Sequence, residues 1–286
     1  MAAQLETDFS FYDVVPELSA LVIVDVGAQP LKNQPEIYAP LVEIGKAEIV
    51  AFEANAEGCS QLTEVLGAAH SVREIIIGDG SPATFHRNKS PVTNSLFPAN
   101  MALLSRFSGL AEMSTLVSSE NVQTYRLDDL IDLPEIDFLK MDVQGGELNV
   151  LNGASRVAGS AMAIHTEVEF VPLYIGQPLF ADIDIKVRSL DFQFHTLSGP
   201  TGRVYKPLQR AGSDPTGVHQ YLWSDAVYIP DLSKLERHSA ERILKLCAIL
   251  HDIYHSFDLV LHLLLYLKDR EDVGVYGDYC KKLGLI

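Results

Sequence analysis

The sequence predicts an α/β fold built on a mostly parallel, doubly wound sheet, and three observations carry that expectation. Between residues 20 and 200, short apolar runs alternate with longer amphipathic segments, the pattern of strands buried on both faces by crossover helices. Acidic residues stand at the carboxyl ends of several of these runs, where open α/β sheets bind their ligands. Apolar residues make up 47% of the 286-residue chain and charged residues 21%, an ordinary globular composition that can bury a sizeable core.

The runs read as strands are LVIVDV (21–26), EIVAFE (48–53), VREIII (72–77), IDFLKMDV (136–143), AMAIHTEV (161–168) and FQFHTL (192–197). Residues 80–120 carry mixed signals and are expected to form an insertion that faces the substrate as a lid. After Ser198 the chain is rich in Gly, Pro and Thr, which marks a loop or hairpin, and VHQYLWSDAVYI follows as a last strand. Beyond residue 232, Ile243, Leu246, Cys247, Leu250, Tyr254 and Phe257 recur at helical spacing and predict two helices. The expected organisation is one domain over residues 1–231 and a helical appendage over 232–286.

A net charge of -16, from 38 acids against 22 bases, repels phosphate backbones and anionic headgroups, so no nucleic-acid partner is expected. The opening residues carry Glu6, Asp8, Asp13 and Glu17 in place of a basic start and apolar core, and the expected location is the cytoplasm. The run LVLHLLLYL (259–267) falls far short of the roughly 20 residues a bilayer crossing requires. It is too apolar for a solitary exposed helix, so it either covers the sheet or joins a second subunit, and a homodimer through these helices is the expectation. Cys59, Cys247 and Cys280 lack the spacing of a disulfide framework or a thiolate zinc site.

Several strand ends carry candidate chemistry. LVIVDV ends in Asp25 and runs into Gly27, a single glycine where nucleotide-binding loops usually carry two or three, so a plain strand-to-helix turn competes with a ligand loop. Glu53 stands at the tip of the second strand, 28 positions after Asp25, the length of a complete βαβ unit, and an acid there can accept from both ribose hydroxyls. Asp79, between Gly78 and Gly80, can accept from an adenine amine or simply hold a tight turn. In the fourth strand, period-two alternation puts Lys140 and Asp142 on one face of a segment that otherwise looks buried. Gly145 and Gly146 open the next helix with Glu147 in its first turn, where an acid suits the helix dipole. His165 and Glu167 share a face of the fifth strand, and the set suits a general base, a divalent-ion site or an ordinary core histidine.

IDFLKMDVQGGELNVLNGA, followed by HTEVEFVPLYIGQPLFADID, resembles the signature of the FkbM family of S-adenosylmethionine-dependent methyltransferases, over about residues 21–229. The family motif runs approximately Lys, apolar, Asp, apolar, acid or Gln, Gly, any residue, Glu, and this chain supplies Lys140, Asp142, Gln144, Gly145 and Glu147. The resemblance implies a class I methyltransferase fold, a seven-stranded sheet with one antiparallel strand, and O-methylation of a sugar or secondary metabolite. By position it implies Asp25, Gly27 and Ala28 in the methionine-binding loop, Glu53 with Asn55 at the ribose, Gly78 and Asp79 beside the adenine, and Asp142 near the methyl donor. The opening loop departs from the family pattern, with Gln29 for Asn and Leu31 for the final Gly, and Pro30 between them. His165 or Glu167 is expected to help deprotonate the acceptor; magnesium on Asp142 and Glu167 is the less favoured variant. The rival readings are a binding or assembly protein that keeps the fold without catalysis, and an NAD(P)-dependent oxidoreductase, against which the missing GxGxxG counts.

Overall fold

The computed structural model describes residues 7–29, 35–208, 215–217, 219–271 and 274–286. Pro30 and Leu31, the departures in the opening loop, lie outside the described residues. The expected sheet forms from β1 (Leu21–Val26), β2 (Ala47–Glu53), β3 (Ser71–Glu74), β6 (Phe138–Met141), β7 (Ala163–Glu169), β8 (Phe192–Thr201) and β9 (Trp223–Pro230). Its order is β3-β2-β1-β6-β7-β9-β8, with β9 antiparallel to both neighbours. This is the class I methyltransferase sheet.

Two apolar layers follow from strand alternation. Leu21, Ile23, Ile49, Ala51, Phe138 and Ala163 point into one core. Val24, Val26, Val50, Phe52, Leu139 and Ile164 point into the other, which α5 (Glu147–Asn152), α6 (Ser155–Ser160) and α7 (Phe180–Arg188) cover. The first core is closed by α8 (Ala240–Asp252) and α9 (Phe257–Glu271), with α10 (Val275–Lys282) behind them. Val260, Leu263, Leu264 and Leu267 of the apolar run are buried there against the sheet. Of the two uses expected for the apolar run, burial within the chain is the one these four residues make. No helix among the described residues is long and apolar enough to cross a membrane.

Asp137 joins the helical unit to the sheet. The residue is fully buried, accepts from Val22 N at 2.9 Å and Lys245 Nζ at 2.8 Å, and is paired with the Arg242 guanidinium. One carboxylate thereby ties β1, the start of β6 and α8.

Several strands are shorter than the sequence predicts, β9 beginning only at Trp223. β3 ends at Glu74, opposite Glu53, because β2 ends there and offers no further partner. β6 ends at Met141 and the chain turns through Gln144 (φ 56°) and Gly145 (φ 92°), left-handed conformations that no strand holds. The 80–120 insertion contains a two-stranded hairpin of β4 (Pro82–Asn88) and β5 (Leu116–Gln123), with the short helices α3 (Met101–Leu104) and α4 (Leu110–Met113) between them. The remaining helices are α1 (Ala39–Glu43) and α2 (Ala56–Leu66), the latter capped by Asn55, whose side chain accepts from Gly58 N.

Candidate functional site

On the face shared with the first core, each central strand changes character near one edge of the sheet. Leu21 and Ile23 are followed at period two by Asp25, Ile49 and Ala51 by Glu53, Phe138 by Lys140 and Asp142, and Ala163 by His165, Glu167 and Glu169. β9 runs the other way, so its beginning, Trp223 and Asp225, meets the same edge, with Asp225 directly opposite Glu167. A row of apolar side chains thus becomes a row of ionisable ones where the strands emerge from under α8 and α9.

A cavity of about 570 Å³ opens along this edge, a volume ordinary for a small-molecule site. One end is walled by Gly27, Gln29, Phe52, Glu53, Asn55 and Ile75–Ile77. The other is walled by Asp142, His165, Glu167, Tyr174, Trp223 and Asp225. The insertion contributes Phe85, Thr93, Leu104 and Met113.

Gly27 is required by its surroundings. Its φ is +83°, and a Cβ there would lie 1.9 Å from the Asp142 carbonyl oxygen. Its N–H and that of Ala28 both donate to the Phe52 carbonyl, so the loop is drawn across the tips of β2 and β6. Glu53 is buried at the adjoining tip and accepts from Asn55 N at 3.2 Å. Burial raises its pKa, and the Asn55 hydrogen bonds oppose that.

Asp25 lies behind the wall. It is fully buried, accepting from Tyr38 Oη at 2.8 Å and from Lys140 Nζ at 3.0 Å, and Lys140 also pairs with Glu36 at 3.2 Å. Burial works to lower the Lys140 pKa, but Asp25, Glu36 and Asp142 outweigh it and hold the ammonium charged. Ala28, Gly78 and Asp79 are also absent from the cavity wall. Asp79 is exposed and its carboxylate accepts from Ser81 N at 2.9 Å, which is turn chemistry. Asp25, Ala28, Gly78 and Asp79 thus stand behind or beside the wall, in the segments that form it. Gly27, Glu53, Asn55, Asp142, His165 and Glu167 are brought together.

Asp142, Glu147 and Glu167 each place a carboxylate oxygen within 4.8 Å of the others, close enough to test for a divalent ion. The arrangement does not fit one. Gln144 Nε2 donates to Asp142 Oδ1 at 2.8 Å and to Glu167 Oε2 at 2.6 Å, standing where the cation would. Tyr174 Oη donates to Gln144 Oε1 at 2.8 Å, which fixes the end of the amide that meets the acids. Glu147 Oε1 accepts from Val143 N at 2.8 Å and Gly145 N at 3.4 Å, so it holds the loop at the start of α5. Ser95 Oγ donates to the Gln144 carbonyl at 2.6 Å and ties the insertion to that loop.

Burial, followed by the neighbouring carboxylates, pushes Glu167 and Glu147 well above the usual carboxylate range, and Glu167 favours its protonated form. Glu169, buried beside them, is pushed up to about 7, again mainly by burial. A folded-state pKa above the unfolded value means that the stabilising contribution is complete below about pH 4.3 and is lost as pH rises through about 7. Glu169→Gln is expected to remove on the order of 3 kcal/mol of stability loss between pH 5 and pH 8. Urea unfolding at both pH values measures this, and equal losses in variant and wild type would refute it.

His165 is buried, with Nδ1 3.0 Å from Tyr254 Oη and Nε2 3.4 Å from Asp225 Oδ2. Sequence reasoning missed Glu36, Glu169, Trp223 and Asp225, and read Tyr254 only as part of an apolar helical stripe. Period two along WSDAVYI was the signal for Asp225, which stands two positions before the buried Val227.

The model of the methyltransferase FkbM domain matches residues 25–194. A putative methyltransferase from Thermoplasma acidophilum is similar at 11% identity with a TM-score of 0.40, over 79% of this chain and 77% of that one. Magnesium protoporphyrin IX methyltransferase from Synechocystis, solved with bound SAM, is similar at 11% identity with a TM-score of 0.35, over 77% of this chain and 76% of that one. No curated protein matches the chain.

Proposed function

Since this chain belongs to the methyltransferase FkbM domain family and is an S-adenosylmethionine-dependent methyltransferase by family and fold, we propose that it methylates a hydroxyl group on a sugar or other small metabolite. The observation that carries this reading is the continuity of the cavity, from the Gly27 and Glu53 tips to the Asp142, Glu167 and Asp225 tips. One end suits a nucleoside and the other an acceptor.

The residues present fit the cofactor. Gly27 admits close backbone approach, Glu53 offers carboxylate oxygens to ribose hydroxyls, and Phe52 with Ile75–Ile77 gives an apolar surface for a base. When bound, the cofactor supplies a methyl group already activated on a sulfonium, so the protein's task is mainly alignment and proton removal. Asp142, in contact with the Gly27 loop and joined through Gln144 to Glu167, would offer a carboxylate to the cofactor's positive charge. Trp223 and Tyr174 wall the acceptor end with rings. Glu167, favouring its protonated form, suits donation to an acceptor oxygen better than proton removal.

Calorimetric titration separates this reading from its rivals. S-adenosylhomocysteine is expected to bind at micromolar concentration and NAD to give no binding heat. Absence of S-adenosylhomocysteine binding would favour a fold retained without catalysis, and binding of NAD alone would favour the oxidoreductase.

A further inference from the structure

The acceptor end contains a connected set that lies outside the family-matched residues 25–194 except for its middle member: Asp225 on β9, His165 on β7 and Tyr254 between α8 and α9. His165 Nδ1 is 3.0 Å from Tyr254 Oη, and Nε2 is 3.4 Å from Asp225 Oδ2. The His165 and Tyr254 rings are nearly parallel, at 18°, and Phe138 stands edge-on to both. The imidazole is held on both sides and from below.

The chemistry of the two partners sets the tautomer. The Asp225 carboxylate can only accept, which calls for a proton on Nε2, and the Tyr254 hydroxyl, kept protonated by burial, donates to the bare Nδ1. The histidine proton is then on Nε2, facing Asp225. In that state His165 has no lone pair to offer the cavity, although it lines the wall. Asp225 does, because its side chain is 39% exposed, lines the cavity and is opposed across the strands by Glu167. Lys140 on β6, Asp142 just beyond it, Glu147, Glu169 and Arg203 are ionisable groups around this pair, and Lys140 is committed to Asp25 and Glu36.

We infer that Asp225 is the catalytic residue that accepts the acceptor's proton, and that His165 and Tyr254 are positioning residues that aim its carboxylate. The inference rests on the methyl-transfer reading. The acceptor O–H bond breaks and its electron pair forms the new bond to the methyl carbon, the methyl–sulfur bond breaks with its pair left on the sulfur of the departing S-adenosylhomocysteine, and the proton passes to Asp225 Oδ and then to water. Tyr254 makes the helical unit part of the site, since it holds the imidazole from the connection between α8 and α9.

The test reads the tautomer directly. In protein labelled with ¹⁵N-histidine, with the His165 signals assigned by their loss in His165→Asn, long-range ¹H–¹⁵N correlation at pH 8 is expected to show protonated Nε2 and bare Nδ1. Tyr254→Phe is expected to shift Nδ1 and admit the other tautomer, and Asp225→Asn to shift Nε2, with near-ultraviolet circular dichroism confirming the fold. A wild-type Nδ1–H tautomer, or signals indifferent to both variants, overturns the positioning role. Transfer from radiolabelled S-adenosylmethionine to a panel of methyl glycosides and phenols is expected to fall at least about 10²-fold in Asp225→Asn. Wild-type transfer that survives this substitution overturns the proton-accepting role. No transfer by the wild type to any acceptor overturns the O-methylation reading and with it the role of Asp225, while the tautomer result stands independently.

Discussion

Gly27→Ala is expected to abolish S-adenosylhomocysteine binding and to destabilise the fold. A Cβ at this position meets the Asp142 carbonyl oxygen at 1.9 Å, a distance that no rotation relieves because both atoms belong to the backbone framework. The left-handed φ of +83° adds about 1–2 kcal/mol for an L-residue. Relief requires the loop after β1 to move away from β6, and the same movement breaks the hydrogen bonds that Gly27 and Ala28 donate to Phe52. Cofactor wall and fold are thus damaged by one methyl group. Calorimetry with S-adenosylhomocysteine and urea unfolding measure the two effects; a variant that binds as the wild type does would refute the role given to this contact.

The second large effect is expected at Asp137, far from the cavity. Asp137→Ala removes the acceptor for Val22 N and the buried partner of both Arg242 and Lys245, leaving Lys245 without that counter-charge and Arg242 with only the exposed Glu135 at 3.9 Å. Breaking a buried ion pair from one side costs about 3–5 kcal/mol, and more of that cost falls here because one carboxylate serves two cations. Asp137→Asn keeps an acceptor for Val22 N and is expected to lose less. Urea unfolding that shows less than about 1 kcal/mol of difference between Asp137→Ala and the wild type would rule out this anchoring role.

Most of the fold is legible in the sequence because the sheet is buried on both faces, and short apolar runs have few other uses. LVIVDV and FQFHTL begin where the strands begin. The ionisable row is legible for the same reason: Lys140, Asp142, His165 and Glu167 break an apolar alternation, and burial makes such breaks conspicuous. What is not legible depends on groups far apart in the chain. Asp79 looks like a strand tip in the run VREIIIGDG, yet β3 stops at Glu74 because its neighbour does, and no local property of VREIII records where β2 ends. Gln144 looks like one polar loop residue until its left-handed backbone sets the amide between Asp142 and Glu167. Tyr254 fits an apolar helical stripe, and only the docking of the helical unit turns its hydroxyl toward His165.

The closing of the first core by the last helices also has a consequence for synthesis. Ile23, Ile49 and Phe138 share their core with residues as late as Leu267, so the cover of Ile23 and Ile49 is complete only after more than two hundred further residues are made. At ordinary ribosomal rates, the interval between Ile49 and Leu267 is roughly 10–40 s. Phe11, Leu41 and Leu62 can cover part of the face earlier, whereas the residues of α8 and α9 come last and Asp137 waits for Arg242 and Lys245. The order of the elements therefore places the last cover of this face, and the counter-charges of Asp137, late in synthesis.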